Sequence, residues 1–138
     1  MTDHNAIIDA VQQLAEGVHD IQNSDLKEGL HDIQSALHVF IHAAHGTDWA
    51  SGLKELAEGV HDIRHGNVQE GQHDIALGLH ELVKASEGTP FAEGIHDLQL
   101  GFGHILSGET DTGYGQVFEG LHDQLVALGA SSTDFPWA

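Results

Sequence analysis

The chain has no cysteine, only four basic residues and no long apolar run. Each shortage excludes something. Without cysteine there are no disulfides and no thiolate metal sites, and the redox compartment is left open. Four Lys and Arg stand against 22 Asp and Glu, a formal charge of −18 with histidine neutral. Such a field repels DNA, RNA and anionic membranes and favours cations, so nucleic acid is not an expected partner. Nowhere do about 18 apolar residues run together, so no membrane-spanning helix is expected either. The N-terminus MTDHNAIIDA lacks a basic start and an apolar h-region. No signal peptide is therefore read in it, and the expected location is cytoplasmic or otherwise soluble.

What is present is an ordinary single-domain length of 138 residues with 40% apolar content, enough for one core. There are also thirteen histidines, whose full protonation would move the charge from −18 to −18 + 13 = −5. The charge of the chain therefore depends steeply on pH in the range where imidazole titrates.

The pentapeptide Glu-Gly-x-His-Asp occurs six times, at 16–20, 28–32, 58–62, 70–74, 93–97 and 119–123. Two copies fall in each of three segments of about 42 residues, 5–46, 47–88 and 89–130. Breakers at QNSD, HGTD, RHGN, SEGTP and SGETDTG separate stretches with helical apolar spacing. Ile7, Val11, Leu14, Val18 and Ile21 form the first stripe; Leu26, Leu30, Ile33, Leu37 and Phe40 form the second. Later stripes include Leu53, Leu56, Val60 and Ile63, then Val68, Ile75, Leu79 and Leu82, then Phe91, Ile95, Leu98, Phe102 and Ile105, with a weaker sixth at Val117, Leu121 and Leu128. Asn67 with Glu70 spells a capping box, and Thr89-Pro90 places proline at a first helical turn. The expected fold is all-α: three tandem antiparallel helical hairpins forming a six-helix bundle or a short helical-repeat solenoid. Residues 1–130 make a single domain and 131–138 a tail, whose Phe135, Pro136 and Trp137 either dock on the bundle or serve as a binding handle.

Glycine inside a helix costs about 1 kcal/mol relative to alanine, so its recurrence needs a reason. Small residues recur every seventh position, as in Ala10 and Gly17, Gly29 and Ala36, Gly52 and Gly59, Gly71 and Gly78, and Gly94 and Gly101. One small residue per heptad on an edge of the apolar stripe predicts a seam where antiparallel helices approach closely. The rival reading is room for a flat cofactor such as haem.

At about 100° per residue, histidine falls on the edge of the stripe opposite glycine, with glutamate beside it. Like edges should then face each other, small against small and histidine against histidine. A turn centred near Ser24 sets His19 level with Gly29 and Glu28, and Glu16 and Gly17 level with Asp32 and His31. Glu-x-x-His puts a carboxylate and an imidazole on one helix face, and two facing copies supply four ligands. The candidate metal ligands are Glu16, His19, Glu28, His31, Glu58, His61, Glu70, His73, Glu93, His96, Glu119 and His122. A second cluster is His4, His38, His42 and His45, with His31 on the same face of the second helix. The motif resembles half of the di-metal carboxylate site of ferritin-like bundles, although there the glutamates face inward and here they fall on the outer side of the seam.

The leading expectation is therefore a metal-binding repeat protein, holding iron, zinc or copper at inter-helix Glu/His/Asp clusters for storage, buffering or a di-metal centre. The alternative is a non-catalytic structural or self-assembly module, with metal-free hydrogen bonding, close-packed helices and a response to pH. Catalysis finds little support, since neither a distinct nucleophile constellation nor a phosphate-binding glycine loop is present. The expected partners are metal ions and, through an exposed histidine edge, further copies of the chain.

Overall fold

The computed structural model describes the backbone of residues 4–129 and the side chains of residues 6–129. Six helices follow one another: α1 (His4–Gln22), α2 (Leu26–Ala43), α3 (Trp49–Arg64), α4 (Val68–Ser86), α5 (Ala92–Leu106) and α6 (Thr110–Ala127). The tightest pairings are α1 with α2, α3 with α4, and α5 with α6, the three expected hairpins. Packing of α2 on α3 and of α4 on α5 joins them, and α1 packs on α6. That last contact closes the six helices into a ring. The architecture is thus a closed bundle, not an open solenoid.

The turns within hairpins repeat one device. Ser24, Gly66 and Gly108 occupy equivalent places and all adopt the left-handed region, with φ of 72°, 89° and 92°. Each lets the following amide reach back five residues: Asp25 N donates to Asp20 O, Asn67 N to Asp62 O, and Glu109 N to His104 O, each at 2.8 Å. This closure satisfies helix-terminal carbonyls and starts the next helix within a few residues. The first hairpin performs it with a serine where the others use glycine.

The caps differ in part from the sequence reading. Asp25 caps α2, its side chain accepting from Glu28 N at 3.4 Å. Asn67 stands at the N-cap of α4 but makes no side-chain capping bond, so the expected capping box does not form. Pro90 precedes α5 instead of sitting in its first turn. The chain enters α5 through Thr89, whose hydroxyl donates to Ser86 O at 2.6 Å and accepts from Phe91 N at 3.2 Å. Thr47 does the same before α3, donating to Ala44 O and accepting from Trp49 N.

The apolar stripes face the interior, with two exceptions at their ends. Leu26 and Val68, first residues of α2 and α4, are 52% and 46% exposed, because they lie at the turn end of their helices. In α6 the buried position is Leu125, 1% exposed, whereas Leu128 is only half-buried. The buried residues form two clusters. One joins α1 and α6 through Val11, Ala15, Val117, Leu121 and Leu125. The other draws on α2 to α5 through Leu30, Leu37, Leu53, Val60, Leu82 and Ile95. Phe40 and Leu98 pack against both.

Candidate functional site

The heptads of small residues form the seam of each hairpin. A Cβ placed on Gly17 would stand 2.7 Å from Gly29 O, and one on Gly29 would stand 2.6 Å from Gly17 O. The same reciprocal approach joins Gly59 with Gly71, Gly52 with Gly78, Gly101 with Gly113, and Gly94 with Gly120. A side chain at any of these positions would therefore meet the carbonyl of its partner helix. Each glycine Cα–H points instead at that oxygen, a weak hydrogen bond worth about 0.5–1 kcal/mol, which offsets much of the helix cost of glycine. The opposing helix occupies the space that a flat cofactor would need, which removes the haem reading of these glycines.

This geometry corrects the register. Gly17 opposes Gly29, so the contact is centred on Asn23, one residue before the expected centre at Ser24, and the other hairpins shift alike. The reason is that the tightest approach is backbone to backbone, and glycine must oppose glycine to allow it. In the third hairpin the pentapeptide pair surrounds Gly94 and Gly120, further from the turn than Gly101 and Gly113, in agreement with the sequence reading.

The third polar residue of the pentapeptide, aspartate, expected to join Glu and His in inter-helix clusters, approaches its counterpart aspartate instead. It lies about 60° around the helix from glycine, on the outer side of the seam. Side chains on a helix lean toward its N-terminus, so on antiparallel neighbours the two aspartates lean toward each other over the glycine contact. The carboxyl groups of Asp20 and Asp32 come within reach of one another across the first hairpin, close enough for Asp20 to raise the proton affinity of Asp32. Asp62 and Asp74 do the same across the second. In the third, Asp97 and Asp123 face each other, and the Asp123 Cβ lies over Gly94. Asp32 and Asp74 are both buried.

Two carboxyl groups this close disfavour each other's ionisation, and a proton held by one can be shared with the other. Burial and the Asp20 charge raise Asp32 above the ordinary 3.8, opposed in part by His31. Burial raises Asp74 as well, reinforced by the hydrogen bond to Asp62 and by the charges of Glu70, Glu58 and Asp62. Asp123 is raised by burial and by Asp97, Glu119 and Glu93, with His122 opposing. Glu55 joins the second group, raised by burial and by Asp74, Glu58 and Glu81, with His73 opposing. Each seam is therefore a place where carboxylates crowd.

The expected metal ligands distribute around these seams. Glu16, Glu28, Glu58, Glu70, Glu93 and Glu119 are exposed on the outer surface. Glu58 with Glu70, and Glu93 with Glu119, come close enough to act on the aspartate of their own hairpin. His31, His61, His73 and His96 are exposed, while His19 and His122 are half-buried. His19 is in contact with the Asn23 side chain one turn later, 3.2 Å from Nε2 to Nδ2. His61 stacks on His65, with ring centres 4.2 Å apart, and His65 Nδ1 meets His61 O at 2.8 Å. Of the second cluster, His38, His42 and His45 are exposed along α2 and its end; the side chain of His4 lies outside the described residues, as does the tail 131–138. Among the described residues, no group of three or more His, Asp and Glu converges in a way that could hold a metal ion. Nor is any described helix long and apolar enough to cross a membrane. No protein-family profile, curated protein or solved structure matches the chain.

Proposed function

We propose that the chain is a non-catalytic structural module whose stability is set by protons and cations acting on its three glycine–aspartate seams. The observation that carries this reading is the facing of Asp20 with Asp32, Asp62 with Asp74, and Asp97 with Asp123 over close-packed glycines, in a chain of charge −18. Protonation relieves their repulsion and supplies the shared hydrogen. The sign follows from linkage. A carboxyl raised in the folded state contributes stability that is complete below its unfolded value of 3.8 and is lost as pH climbs through the raised folded value.

The test is the melting temperature followed by circular dichroism from about pH 4 to pH 8 at low salt. The reading expects a continuous fall toward the alkaline side and a flatter curve at high ionic strength. A profile that is level, or that rises with pH, removes it.

Metal binding is the second reading: Glu58, Asp62 and Glu70 act electrostatically on Asp74, and Glu93, Asp97 and Glu119 on Asp123, so a cation would be attracted there even though no described group of three converges as a preformed site. A cation held there by several carboxylates would replace the shared proton. Titration of metal-free protein with iron, zinc and copper tests this: uptake at micromolar concentration supports it, and no uptake of any of the three ends it. Sedimentation at both ends of the pH range tests association between copies, which this account expects only where the carboxylates are protonated.

A further inference from the structure

Six helices closed in a ring leave a space at the centre that no helix fills. Between the two apolar clusters lies a cavity of about 340 Å³, reached from the end of the ring that carries the hairpin-to-hairpin loops. Every helix contributes to its wall, including Val11, Leu37, Leu53, Leu82, Leu98 and Leu121. The aromatic rings of Trp49 and Phe91, in edge contact at 5.9 Å between centres, line it together with Phe40. This volume lies within the range of small-molecule sites, and a cavity of roughly 150 Å³ already takes up benzene.

We infer that this lumen is a binding site for one small, neutral, apolar molecule with on the order of a dozen non-hydrogen atoms, such as a bicyclic aromatic or a medium-length hydrocarbon chain. Three features set its chemistry. The polar residues on the wall are engaged by the protein itself: the Thr47 hydroxyl by Ala44 O and Trp49 N, and the Gln124 carboxamide nitrogen by Phe91 O at 3.1 Å. Among the described residues no basic side chain lines the wall, so none of them compensates a buried anion. The field of the whole chain opposes anions further. A carboxylate-bearing lipid is thereby disfavoured, and the apolar body alone supplies the affinity. Leu56, Leu82 and Leu98 of the wall also pack on seam glycines, but none of the lining residues is an aspartate, so binding here is tested separately from the pH response.

A matched pair of probes tests it. Full-length protein is titrated with 2-naphthol, neutral at pH 7, and with 2-naphthoate, which carries the same rings and a negative charge. Binding is read by calorimetry and by the change in ligand fluorescence. The expected result is one naphthol per chain with a dissociation constant in roughly the micromolar range, and naphthoate weaker by about tenfold or more. Leu98→Phe, which fills the centre, and Ala43→Leu, which narrows the wall, should each weaken naphthol by about tenfold or more without loss of helix content, because they occupy empty space. Leu100→Phe, at an exposed position, should leave binding unchanged. Should both filling variants unfold, the wild-type protein still decides through the naphthol-to-naphthoate ratio and the stoichiometry. Absence of binding, equal affinity for the two probes, or full affinity in well-folded filling variants would overturn the inference. So would binding that emerges only after Phe135→Ser and Trp137→Ser, since the chain's own C-terminal segment would then be the occupant.

Discussion

Gly59→Ala and Gly115→Ala should move stability in opposite directions, although both replace a glycine inside a helix. By intrinsic propensity each substitution gains about 1 kcal/mol. At Gly115 nothing lies within 4 Å of the new methyl, so that gain should be realised almost in full. At Gly59 the methyl would stand 2.6 Å from Gly71 O, 2.6 Å from Ile75 Cγ1 and 3.0 Å from Ile75 N. Ordinary contact begins at 3.4 Å, a shortfall of about 0.8 Å against the carbonyl oxygen. The backbone of α4 cannot rotate away as a side chain would, so α3 and α4 must separate. A gap of that size forfeits a quarter to a half of each dispersion contact along the seam. Overpacking costs typically 1–3 kcal/mol, and the backbone clash places this case at the upper end. The net loss at Gly59 is then about 2 kcal/mol, and the two variants differ by about 3 kcal/mol. Urea unfolding followed by circular dichroism measures both with one method. If Gly59→Ala proves as stable as the parent, or if the two variants shift alike, the close-packed glycine seam is refuted.

Two further outcomes follow from the turns and the core. Ser24→Gly should stabilise by roughly 1 kcal/mol in the same unfolding assay, because serine holds a left-handed φ of 72° where the other hairpins have glycine; Gly66→Ser should lose a similar amount. Leu125→Ala, at a position only 1% exposed between α1 and α6, should cost about 2–5 kcal/mol and weaken the contact that closes the ring, read as faster amide exchange in α1.

Much of the architecture was legible because the repeat writes it three times. Apolar stripes of helical spacing and short breakers gave six helices, and the seven-residue spacing of glycine and alanine gave the seam. The register was misplaced by one residue because levels were reckoned from the turn, whereas Gly17 and Gly29 set it by backbone contact. Histidine drew attention through its chemistry, yet the residue that meets its counterpart is the aspartate that follows it. The signal was available: Asp20 lies three residues after Gly17 on the adjoining face, and each copy repeats that spacing. Ring closure was not legible, since a stripe shows which face is buried and not which helix covers it. The lumen depends on that closure, and on Phe40 and Leu98 bridging two clusters from different helices.

The central claim, that carboxyl pairs over glycine seams govern stability, is tested most directly by the variant carrying Asp32→Asn, Asp74→Asn and Asp123→Asn. Each asparagine keeps the size and a hydrogen-bond donor but cannot ionise. Melting temperatures of this variant and the parent are compared from about pH 4 to pH 8 at low salt. The account predicts that the variant melts several degrees higher at the alkaline end and that the two curves approach each other toward the acidic end, as the parent's raised aspartates take up protons. A variant that melts at or below the parent at pH 8, or that retains the parent's full pH dependence, would contradict it.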